Sequence, residues 1–152
     1  MSLDVYLEVE EPVKKERGSG IFIRKGGQMI EVSREEWDRR NPGCDPVVFL
    51  GPDEEETNCV YRANITHNLG SMATEAGLYG LLWRPEEMEI NKAAQLIGPI
   101  ESGLAKLKSD PDHFKQYNPP NGWGNYDLLV RFTDEYLAAC RAHPDANVRV
   151  WR

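Results

Sequence analysis

The chain has 152 residues, a formal net charge of -7 and 28% charged residues, with a pI near 5.0 and a mean hydropathy of -0.58. That length suits one domain with its own core, and the acidic balance, with no basic block longer than Lys14-Lys15, argues against sequence-independent nucleic-acid binding. Cys44, Cys59 and Cys140 are odd in number and widely spaced, which fits neither a disulfide framework nor a structural zinc site and predicts reduced, cytoplasmic thiols.

In chain order, Leu3, Val5, Leu7 and Val9 alternate with Asp4, Tyr6, Glu8 and Glu10, the period of a half-buried strand. No secretory signal or membrane anchor is read at this end or elsewhere. Residues 11–19 mix proline, charge and glycine and predict a mobile loop. Ile21-Phe22-Ile23 and Met29-Ile30-Glu31-Val32 flank Lys25-Gly26-Gly27, which predicts a hairpin; the glycines lack Walker spacing, so the turn reading is preferred over phosphate binding. Ser33 with Glu36 forms a capping-box pattern for a short helix carrying Trp37 and ending near Asn41-Pro42-Gly43. Val47–Leu50 and Cys59–Ala63 read as strands around the acidic tip Asp53–Glu56, which lacks the ligand spacing of a calcium loop.

Three principal helices are predicted in the second half. Leu69, Met72, Ala73, Ala76, Tyr79, Gly80 and Trp83 recur at helical spacing after the candidate cap Thr66, ending at Pro85. Ala93, Ile97, Ile100, Leu104 and Leu107 follow Asn91, with Pro99 expected to kink that helix. Leu129, Phe132, Tyr136 and Cys140 share a face of the third, capped by Asn125 and stopped at His143-Pro144. Val148 and Val150 then alternate with Arg149 and Trp151 as a closing strand over 147–151, expected in one sheet with the first. The fold class is α+β, a mostly antiparallel sheet packed against these helices in one domain spanning 1–152.

Chemistry concentrates in two stretches, Asn64-Ile65-Thr66-His67-Asn68-Leu69-Gly70 and Asn118 to Tyr126, which contains Asn121-Gly122-Trp123-Gly124-Asn125. Asparagine and histidine supply neutral donors and acceptors, and tryptophan a flat face for a planar ligand. Asn64, His67, Asn68, Arg84, Asn121, Trp123 and Tyr126 are the candidate ligand-binding residues, with Arg84 offering a guanidinium for a phosphate. Each also has a structural reading: the asparagines as caps, His67 as a residue bonded to a carbonyl, Trp123 as the edge of a core. No catalytic residue, metal set or cofactor is assigned. Asp110-Pro111-Asp112-His113 reads as a helix stop and turn ahead of a ligand set.

Met1 to Val5, Gly18 to Phe22, Ser33 to Trp37, Ala63 to Leu69, Leu82 to Pro85 and Asn121 to Gly124 together resemble a family of small uncharacterised proteins encoded by bacteriophages and some bacteria. That family carries no assigned catalytic residues; a phage setting implies proteins that counter or redirect host functions. Three functions stay open: a non-enzymatic protein that binds or sequesters a small molecule, a nucleotide-type signal among the candidates; an acidic inhibitor or adaptor acting on a host protein; and a hydrolase or transferase using His67 as base. The oligomeric state is not legible in the sequence.

Overall fold

The computed structural model describes residues 1–13, 18–49 and 57–152. Two compact units are present, one of residues 1–12 and 58–152 and the other of residues 13–57. Strand β1 runs Ser2–Val13, so Glu11, Pro12 and Val13, expected at the start of a loop, are extended instead, and residues 14–17 of that expected loop lie outside the described residues. Alternation was the right reading of its faces. Leu3, Val5 and Leu7 are fully buried, each contributing about 1.5–3 kcal/mol relative to an exposed side chain.

In the second unit, β2 (Phe22–Lys25) and β3 (Gln28–Glu31) pair antiparallel, with Lys25 opposite Gln28 across a two-residue turn at Gly26-Gly27. Helix α1 (Arg34–Arg40) is capped by Ser33, whose hydroxyl accepts from Glu36 N at 3.1 Å. The Glu36 carboxylate closes on Arg40 at 2.9 Å instead of completing the box. Trp37 is half-buried and donates to the Cys44 carbonyl at 2.8 Å. Val47–Phe49 is not a strand: Val48 makes one bridge to Ile21, and Phe49 N donates to Gly20 O at 2.8 Å, while Leu50, the last residue of the expected strand, lies outside the described residues. The acidic tip Asp53–Glu56 lies outside the described residues.

Strand β4 (Thr57–Thr66) is longer than expected and joins β1 and the last strand in the order β4-β1-β5. His67 N reaches Met1 O while the Asn58 side chain reaches Glu10 O, so β4 runs antiparallel to β1. The long helix expected over Leu69–Trp83 is instead a 3₁₀ turn at His67–Leu69, α2 (Gly70–Glu75) and α3 (Tyr79–Trp83). Gly77 sits at φ 73, and Leu78 N and Gly77 N bond back to Ala73 O and Thr74 O at 2.7 and 3.0 Å. This is a glycine-dependent helix stop with the next apolar residue, Leu78, tucked into the core. Apolar spacing persists across the break because α2 and α3 face the same core.

Helix α4 (Ala93–Ser109) continues through Pro99, which lies on its exposed side where water can take the freed carbonyl. Its start is held by Gln95 rather than Asn91: Gln95 Oε1 accepts from Asn91 N and Lys92 N, both at 2.9 Å. A short α5 (Pro111–Lys115) follows, with Asp110 Oδ1 accepting from His113 N at 3.2 Å, so Asp110-Pro111 both stops one helix and starts another. Helix α6 (Tyr126–Ala142) and β5 (Asn147–Trp151) complete the chain. β5 pairs antiparallel with β1, Val5 opposite Val150 and Leu7 opposite Val148, as the matching alternation at the two ends predicts. The inner face of the sheet and the apolar faces of α4 and α6 share one core containing Leu96, Ile100, Leu104, Leu129, Phe132 and Tyr136.

Candidate functional site

β4 delivers the first asparagine-rich stretch. Ile65 turns inward and is buried, so its neighbours Asn64 and Thr66 are carried on the opposite, wet face of the strand. Thr66 is extended, and its hydroxyl accepts from Asn68 N at 3.3 Å, opening the 3₁₀ turn. Asn64 and Asn68 are exposed, and their amides have no partner among the described residues.

His67 is tethered. Its Nδ1 accepts from the indole N–H of Trp83 at 2.8 Å; Trp83 is buried and stacks on Tyr79 with centroids 5.3 Å apart. An indole nitrogen only donates, so Nδ1 carries the lone pair and the proton of the neutral ring sits on Nε2.

The second stretch spends its asparagines on its own backbone. Asn118 Oδ1 accepts from Tyr126 N at 2.7 Å, Asn121 Oδ1 from Trp123 N at 3.0 Å, and Asn125 Oδ1 from Leu128 N at 2.8 Å as the cap of α6. Trp123 is left projecting, 72% exposed.

Gly124 brings the two stretches together. At φ 101 it lies so close to the start of the 3₁₀ turn that a Cβ would meet Thr66 Cγ2 at 2.8 Å and Leu69 Cγ at 3.0 Å. The result is a hollow of about 560 Å³ lined by Met1, Ser2, Asn64, Thr66, His67, Asn68 and Trp123.

No protein-family model, curated protein or solved structure matches this chain.

Of the candidate residues, Asn64, His67, Asn68 and Trp123 meet at the hollow; Arg84, Asn121 and Tyr126 are not in its lining. Arg84 is bound to Glu87 at 2.7 Å, and the hydrogen bonds to Glu87 and Tyr79 raise its pKa. Tyr126 is buried with its hydroxyl donating to Leu107 O at 2.8 Å, and burial raises its pKa. Asn121 faces its own turn. Met1, Ser2 and Thr66 were not anticipated. Ser2 shares the wet face of β1, a signal present in its alternation, but only the β1–β4 pairing puts it beside Thr66 and into the hollow that Asn64 also lines.

Elsewhere, burial pushes the Cys140 thiol up to about 12, which keeps it protonated and unreactive. Among the described residues no group of three or more His, Cys, Asp or Glu side chains is placed to hold a metal ion. Nor is any helix there long and apolar enough to cross a membrane.

Proposed function

We propose that the hollow binds a small planar molecule rich in hydrogen-bond acceptors, and that the chain binds this molecule without transforming it. The observation carrying this reading is that two stretches about fifty residues apart in sequence contribute Asn64, His67, Asn68 and Trp123 to one hollow of about 560 Å³, within the usual range of small-molecule sites. The free amides of Asn64 and Asn68, the His67 Nε2–H and the Trp123 ring together offer donors and a stacking face. None of these groups carries a formal charge in its ordinary neutral state. With Arg84 held by Glu87, recognition rests on the planar, neutral part of the ligand. A nucleotide-type signal suits this chemistry through its base.

The tautomer of His67 favours binding over catalysis. A general base needs its lone pair on the nitrogen that meets the substrate, and here that pair is committed to Trp83. A second reading, occlusion of a host protein, draws on the exposed Met29, Val47 and Phe49 side chains of the second unit; partner capture unaffected by Phe49→Ser would remove it.

Native mass spectrometry after exposure to a nucleotide-rich cell extract tests the main reading. A discrete added mass is expected on the wild-type chain and absent from Trp123→Ala, whose fold should be intact because the ring is mostly exposed. A bare mass in both, or an adduct indifferent to Trp123→Ala, overturns it.

A further inference from the structure

Ser2, Asn64 and Thr66 place the hollow at one end of the wet face of the sheet. Register orders the rest of that face. Met1 O accepts from His67 N at one end of the β1–β4 pair, and Glu10 O from the Asn58 side chain at the other. Carried along the ladder, this pairing sets Ser2 beside Thr66, Asp4 beside Asn64 and Tyr6 beside Arg62, all on the face away from the helices. The contacts agree with it. The Arg62 guanidinium lies over the Tyr6 ring, 5.4 Å from its centroid, with Nη2 3.7 Å from Asp4 Oδ1. Asp4 is one step nearer the hollow, so Arg62 leans that way.

Arg62 differs from the arginine on the other side of the same ring. Arg149, opposite Tyr6 on β5, lies 4.7 Å from the centroid and is bound to Glu8 at 2.6 Å. The Asp4 oxygen is too far from Arg62 for a hydrogen bond, and Arg62 has no other hydrogen-bond partner among the described residues. Its side chain is 66% exposed, yet the Tyr6 face and the Asp4 charge hold its head in place. A guanidinium positioned in this way, with its donors unspent, is an anion receptor.

We propose that the ligand of the hollow is a ribonucleotide laid along this face, its base in the hollow against Trp123, its ribose hydroxyls on Asp4 and its phosphate on Arg62. This rests on the reading of the hollow as a small-molecule site and names the class of molecule. Residues two apart on one face of a strand stand about 6.6 Å apart, so Asn64 and Arg62 are separated by roughly the span of one sugar. The groups also fall in the order a nucleotide needs: neutral amides and a ring, then a carboxylate that accepts from hydroxyls, then a fork for the anion. With a net charge of -7 the chain has no general attraction for anions, so a preference for phosphate has to come from a local cation.

Calorimetric titration with adenosine, guanosine, cytidine and uridine and with their 5′-monophosphates tests this. For the base that binds, the monophosphate should bind roughly tenfold more tightly than the nucleoside. Arg62→Gln, a change at an exposed side chain, should erase that preference and leave nucleoside affinity unaltered, whereas Arg84→Gln should leave both as in wild type. A 2′,3′-dideoxynucleoside should bind roughly three- to tenfold more weakly than its ribonucleoside. A nucleoside that binds as tightly as its monophosphate, or a preference that survives Arg62→Gln, overturns the phosphate site; the hollow then still stands if nucleoside binding is lost in Trp123→Ala. Equal affinity for the dideoxy compound overturns the ribose assignment to Asp4. Binding of neither class overturns the inference and the nucleotide reading of the hollow together.

Discussion

The two asparagine-rich stretches look alike in composition and do different work. In the stretch from Asn64 to Gly70 the exposed amides of Asn64 and Asn68 are unspent, because Thr66 supplies the cap and β4 supplies the backbone bonds. In the stretch from Asn118 to Tyr126 there is no strand to satisfy the chain, so Asn118, Asn121 and Asn125 each take a backbone amide and only Trp123 is free to face outward. The same residue type is a ligand group where the backbone is already paired and a structural group where it is not.

The hardest test of this contrast is at the point where the stretches touch. Gly124→Ala places a Cβ against Thr66 and Leu69 on a backbone at φ 101, and should destabilise the chain by at least about 2 kcal/mol. That corresponds to a melting point lower by about 4–8 °C, with the ligand adduct lost as the loop moves off. An unchanged melting curve would mean that the loop does not depend on this approach.

A smaller effect separates the asparagines themselves. Asn125→Ala removes the cap of α6 and should cost about 1 kcal/mol in denaturant unfolding. Asn64→Ala and Asn68→Ala should each stay within about 0.5 kcal/mol of wild type, yet weaken ligand binding roughly three- to tenfold. Equal stability losses at Asn64 and Asn125 would erase the distinction between spent and unspent amides.

The smallest effect concerns a tie between the elements that follow one stretch and precede the other. Glu75, at the end of α2, meets His113 of α5 at 3.1 Å. The hydrogen bond to His113 is the main cause holding its carboxyl below the ordinary carboxylate value, with Tyr117, just before Asn118, adding a weaker one. A carboxyl depressed in the folded state stabilises above its unfolded pKa, and that contribution fades as pH falls through the folded value. Glu75→Gln should therefore lower the melting point slightly at neutral pH and converge on wild type as pH falls, flattening the acid limb of the profile; profiles that run parallel would show that the tie contributes nothing measurable.

Much of the architecture was legible because local patterns and the core agree. Alternation in residues 3–9 and 148–151 identified two strands of one sheet, and Asn125 and His143-Pro144 bounded α6. Where reading failed, a global packing signal masked a local one. The spacing from Leu69 to Trp83 is continuous because both helices serve one core, and it hid the stop at Gly77. Val47–Phe49 has strand composition but, among the described residues, a single bridge partner in Ile21, and strand propensity without a ladder does not make a strand.

The sequence by itself determined the class of fold, the inward faces and the two stretches where polar chemistry collects, since these follow from period, caps and composition. Only the tertiary structure decided which members of those stretches meet. Antiparallel pairing of β1 with β4 sets Ser2 beside Thr66 in the hollow that Asn64 also lines, the bare backbone of Gly124 lets Trp123 reach them, and the bond from Trp83 selects the tautomer of His67. Each depends on partners far apart in the chain, and no local spacing encodes them.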